Sequence, residues 1–113
     1  MESAPTLMNL FDTRNTTEDS EHFEQILNGS EFRLERIVST GHISPNDQWY
    51  DQCEAEWVVL LQGEAELKFS LNKGDQSIKL KPGDYLHIPP HLKHRVTFTS
   101  SNPQAIWLAL HHH

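Results

Sequence analysis

Cysteine is nearly absent. One residue, Cys53, in a chain of 113 excludes an internal disulfide framework and every multi-cysteine zinc motif, and makes a reducing cytoplasm the expected setting. Long apolar runs are also missing. The longest, Trp57-Val58-Val59-Leu60-Leu61, falls far short of the ~20 residues that a membrane-spanning helix needs. Positive charge is scarce, with 9 Lys and Arg against 16 Asp and Glu and a formal net charge of −7. Nucleic-acid affinity rests on clustered Lys and Arg, so neither nucleic acid nor membrane is expected as a partner. Met1-Glu2-Ser3 opens with no basic stretch and no apolar stretch behind it, which predicts no secretory signal. A Ser-His-Asp order and a glycine-rich phosphate loop are absent as well.

What remains suits one soluble domain with a real core: 36% hydrophobic and 22% charged residues, at a length typical of a single domain. Residues 1–30 read as an acidic lead-in. Within them Phe23, Ile26 and Leu27 fall at i, i+3 and i+4, Thr16 and Asp19 can form a capping box, and Asn28-Gly29 can stop a helix, so a short helix is predicted there. His111-His112-His113 can be a tag remnant or native and is set aside from site reasoning. The body is 31–110.

From Glu31 onward the pattern changes to short segments divided by turn residues. Arg33, Glu35 and Ile37 alternate with Phe32, Leu34 and Arg36. Residues 56–62 are apolar on both parities. Ala65, Leu67, Phe69 and Leu71 alternate with Glu64, Glu66, Lys68 and Ser70. Further strands are expected over 77–80, 85–88, 94–100 and 105–110, with Gly41 to Asp47, Asn72-Lys73-Gly74-Asp75 and Lys81-Pro82-Gly83-Asp84 as turns. About eight short strands with turn signals every 8–12 residues predict an all-β sandwich or barrel.

Two spaced segments carry a resemblance. Glu56, six residues on, meets Gly63; Gly83, after five residues, meets Pro89-Pro90-His91, and His94 follows two residues later. This resembles the cupin superfamily, whose motifs are G-x5-H-x-H-x3,4-E-x6-G and G-x5-P-x-G-x2-H-x3-N, with His91 standing at the second motif's glycine and Phe98 at its final Asn. The stretch from Ser39 to Trp57 is similar to a small bacterial group of single-domain cupins of undefined activity. The resemblance implies a cupin jelly-roll (double-stranded β-helix) barrel. It also implies one divalent metal, bound in typical cupins by the two histidines of H-x-H, the glutamate and the second-motif histidine. Here Trp49 and Asp51, or Tyr50 and Gln52 with the shorter spacer, occupy the two histidine positions. Glu56 and His94 survive, and Asp51 is the candidate third ligand.

Asp51, Glu56 and His94 together would suit Mn, Fe, Ni or Zn and leave open positions on the ion. Tyr50 and His91 are the candidate proton-handling residues. Trp49, Tyr50, Gln52, His42 and Phe98 are candidate pocket residues; His42 stands in the loop after Gly41, from which an imidazole can swing to the barrel mouth. The resemblance implies dioxygenase, isomerase, epimerase or decarboxylase chemistry on a small molecule, or plain ligand binding, and a fold does not choose among them. The alternative to a metal site is a metal-free binding or sensing module. Because Trp57 to Leu61 is apolar on both parities, its outward face wants cover, and a homodimer is expected; the lead-in helix, through Phe23 and Ile26, is the competing cover.

Overall fold

The computed structural model describes residues 2–113 and holds eight strands and, among those residues, no helix. They are β1 (His22–Asn28), β2 (Phe32–Ser39), β3 (Ala55–Gln62), β4 (Ala65–Leu71), β5 (Gly74–Leu80), β6 (Tyr85–Ile88), β7 (His94–Thr99) and β8 (Ala105–His112). The larger sheet runs β1-β2-β8-β3-β6 and the smaller β5-β4-β7, and every ladder is antiparallel. Residues 44–50 line the free edge of β7. Ser44 N–H donates to Val96 O at 2.9 Å, and Tyr50 and His94 exchange backbone bonds of 2.7 and 3.1 Å. That loop is therefore held in register with His94.

Val58 and Leu60 from β3, Leu67 and Phe69 from β4, Ile88 from β6 and Trp107 from β8 meet in one buried cluster between the sheets. Directly opposed residues of an antiparallel pair share a face, so register defines rows across the larger sheet. Ile37, Trp107 and Leu60 form one row; Glu35, Ala109, Val58 and Leu86 the next; Arg33, His111, Glu56 and Ile88 the last. The inner face thus grades from apolar to polar along the strands, and the polar end is where a site can be built. At the other end Gly63 makes the turn from β3 to β4 with φ 83°, and an added Cβ would lie 2.8 Å from the Gln104 carbonyl oxygen.

The predicted lead-in helix is not formed. His22–Asn28 is β1, paired along β2 with one irregularity between Gln25 and Leu27. A bulge in a strand shifts the alternation by one residue, which is how Phe23, Ile26 and Leu27 come to mimic a helical spacing. Asn28-Gly29 opens the hairpin to β2, closed by Gly29 N–H to Phe32 O at 2.8 Å, and the unpaired edge of β2 supplies ladder bonds that an isolated short helix could not match. Upstream, residues 7–15 lie on the outer face beside Leu34 and Leu108. Buried Arg36 fixes them there: its Nη1 donates to the carbonyls of Leu10 and Asp12, and its Nε lies 3.4 Å from Glu24.

Candidate functional site

A cavity of about 80 Å³ lies at the polar end of the barrel. Its floor and walls include Val58, Leu67, Ile88 and Trp107, and its polar residues are Glu21, Glu35, Glu56, His94, His111, Tyr50 and Gln52. Half-exposed Phe23 and partly exposed Tyr50 are among the lining residues and mark its mouth.

His94 and Glu56 form the centre. Both are nearly buried, and His94 Nε2 lies 3.5 Å from Glu56 Oε1. His94 Nδ1 is 2.9 Å from the carbonyl oxygen of Leu92. A carbonyl can only accept, so Nδ1 carries a hydrogen and Nε2 is the nitrogen left to work on the cavity side. Burial works against a charged imidazole, but the bond toward Glu56 and the Leu92 carbonyl outweigh it and raise the His94 pKa above its ordinary value. The rings of Tyr50 and Phe69 stand 5.6 and 6.0 Å from the imidazole, centroid to centroid.

A second imidazole–carboxylate pair shares the cavity. His111, 2% exposed, donates from Nε2 to Glu35 Oε1 at 2.8 Å, and its Nδ1 is buried with no partner. That bond holds the Glu35 carboxyl below its ordinary pKa although burial pushes the other way. Arg33, 3.6 Å from Glu35 and 3.1 Å from Glu54, adds its charge behind the pair. Glu21 accepts from the Ser39 hydroxyl at 2.7 Å. Burial, reinforced by the charge of Glu21, raises the Tyr50 pKa and keeps the phenol protonated.

Of the residues expected from sequence, Tyr50, Gln52, Glu56 and His94 are brought together, and the others go elsewhere. Asp51 turns outward, where its carboxylate accepts from His91 Nδ1 at 2.9 Å, and both side chains are solvent-exposed. His91 adopts φ 63°, the left-handed backbone that explains a glycine at this motif position, and its N–H reaches Gln52 O at 2.7 Å. His42 folds back to accept the Thr40 N–H on Nδ1 at 2.9 Å. Trp49 stacks under the Arg95 guanidinium, 5.8 Å from its carbon. Phe98 is exposed because a bulge separates it from the inward parity: Leu67 pairs with Val96 but Glu66 with Phe98, leaving Thr97 extra.

Sequence reasoning missed Glu21, Glu35 and His111. The signal for His111 was present in the parity of Trp107, Ala109 and His111, the first two of which are core.

Residues 37–111 match the family model described as a cupin domain. The chain belongs to the cupin family. The cupin is 34% identical to a protein of Ralstonia eutropha JMP134 described as a "putative mannose-6-phosphate isomerase", with a TM-score of 0.85 over 96% of this chain and 98% of that one. A cupin superfamily protein of Desulfitobacterium hafniense DCB-2 is similar at 19% identity and a TM-score of 0.70, covering 86% of this chain and 81% of that one. Hydroxypropylphosphonic acid epoxidase of S. wedmorenis is similar at 15% identity and a TM-score of 0.68, covering 82% of this chain and 51% of that one. The last two show shared fold alone. No curated protein matches the chain.

The ion-binding set expected from the sequence, Asp51 with Glu56 and His94, is not assembled. Among the described residues no group of three or more His, Cys, Asp and Glu side chains is gathered as an ion requires. Catalytic zinc sites use three protein ligands, whereas here Glu56 and His94 remain a pair and Asp51 is committed to His91.

Proposed function

We propose that this cupin binds a small molecule directly at the polar end of its barrel, anchored by Glu56 and His94, and that the pair exchanges a proton with what binds. The observation carrying the proposal is the 3.5 Å approach of these two nearly buried side chains within the cavity, with Nδ1 of the imidazole tied to Leu92 O. Nε2 donates when the ring is charged and accepts when it is neutral, the property a general acid–base group needs. The Tyr50 phenol adds a donor at the mouth. The description of the Ralstonia relative would put a sugar phosphate here. Among the described residues no Lys or Arg lines the cavity to receive a phosphate, so that substrate is not carried over.

The test is a fragment screen by amide NMR on the full chain, in which His111 is part of the cavity wall, in the presence of a chelator. Expected are shifts at Tyr50, Glu56, His94 and Trp107 that vanish in His94→Ala. One equivalent of Mn, Fe, Ni or Zn retained through dialysis, and lost in His94→Ala, would replace the proposal with a metal-dependent one. A homodimer belongs to the same reading. Trp57, Val59 and Leu61 face outward and half-buried on the larger sheet, while residues 7–15 lie beside Leu34 and Leu108 instead. Light scattering at micromolar concentration should give twice the chain mass, and Trp57→Glu should halve it. The exposed free thiol of Cys53 suits a reducing cytoplasm.

A further inference from the structure

We infer that the ligand presents an ammonium group to this cavity: it is a small primary amine, its nitrogen between Glu21 and Glu56 and its short apolar body over the floor. The inference rests on the barrel cavity being the binding site.

Charge comes first. Glu21, Glu35 and Glu56 line the cavity without a lysine or arginine among the lining residues. Arg33, behind the lining, and His111 answer Glu35, and His94 answers one oxygen of Glu56. Glu21 has the Ser39 hydroxyl but, among the described residues, no ion-pair partner. With the His111 ring neutral, the balance stays negative even with His94 charged. Hydrogen-bond polarity agrees. His111 Nε2 already donates to Glu35, so in the neutral ring the buried and unpartnered Nδ1 is an acceptor. Gln52 Oε1 is a second buried acceptor without a partner. Such orphans are costly to bury; a donor reaches them only with a small side-chain shift, because neither has accessible surface, and an ammonium group brings three donors to the lining carboxylates of Glu21 and Glu56. Phe23, Tyr50 and Trp107 among the lining residues supply aromatic rings, a surface that a cation accepts. About 80 Å³ admits an amine with a few carbons, and the chain's net charge of −7 steers cations toward it.

The test is calorimetric titration of the full chain at pH 7 with n-propylammonium, 1-propanol, propionate and inorganic phosphate, each in the presence of a chelator. Propylammonium should bind at least tenfold more tightly than the other three. Glu21→Gln, a partly exposed position that should fold normally, should weaken it about tenfold, and so should Glu56→Gln. Equal or tighter binding of propanol, propionate or phosphate, displaced by no amine, overturns the cation assignment and leaves the cavity as the site. If the folded chain binds none of the four and the amide screen above is also flat, the cavity reading falls with it.

Discussion

Replacing Glu56 with Gln should change the sign of its effect on stability between pH 6 and pH 9. At pH 6 His94 is below its ordinary value of 6.5, which the fold raises further, so the ring is charged and Nε2–H points at the carboxylate. Two unit charges 3.5 Å apart attract by roughly 5 kcal/mol at an effective dielectric of about 20, but desolvation takes back most of it. The separation is at the outer limit of a hydrogen bond, so the net difference between a charged and a neutral acceptor is about 1 kcal/mol. For a chain of this length that is about 4 °C in Tm. A group whose folded pKa is raised contributes stability below its unfolded value, and loses it as pH rises through the folded value. By pH 9 the ring is neutral, and because Nδ1–H stays on Leu92 O, Nε2 presents a lone pair to a carboxylate oxygen. Glutamine can then donate to that lone pair. Glu56→Gln should therefore melt about 4 °C below the unmodified protein at pH 6, and level with it or a few degrees above at pH 9. Scanning fluorimetry at both pH values, with chelator present, reads this directly. Equal destabilisation at the two pH values would refute the tautomer assignment.

Three further outcomes are expected. His91→Gly should melt above His91→Ala, because both lose the Asp51 bond but only alanine keeps a side chain at φ 63°, at about 1 kcal/mol; calorimetry showing the reverse order would remove the strain argument. Glu35 is held below its ordinary value of 4.5, so its contribution is present above pH 4.5 and lost as pH falls through the lowered value. An acid titration of Tm should be shallower for Glu35→Gln than for the unmodified protein. Arg36→Leu removes the two bonds to the carbonyls of Leu10 and Asp12, costing about 2–3 kcal/mol, and trypsin should then cut after Arg14 many times faster; an unchanged cleavage rate would mean that the segment is held by something else.

Most of the barrel was legible because β-structure writes its period into the chain. Residues 65–71 show one wet face and one dry face in the sequence, and β4 has it; the turn expected at 72–75 narrows to Asn72 and Lys73 because β5 already begins at Gly74, and the turn at 81–84 falls between β5 and β6. What failed were places where one extra residue resets the alternation. The irregularity near Ile26 made a strand look helical, and Thr97 turned Phe98 outward. Motif position found Glu56 and His94 but misplaced Asp51, since spacing along a loop says nothing of a histidine 40 residues away that claims the carboxylate. Glu35 was hidden for another reason. Both parities of β2 mix apolar and charged residues, and only pairing with Ala109 and Trp107 shows that the odd parity faces in.

The extra residue at Thr97 has a consequence for how the cavity can be remodelled. Without it, Phe98 would follow Val96 directly, so the phenyl ring would stay outside and Thr99 inside, and β7 would pair with β4 with no bulge. The cavity lining is thereby indifferent to a one-residue shortening of β7 at this point: the bulge is lost and the inward side chains are kept.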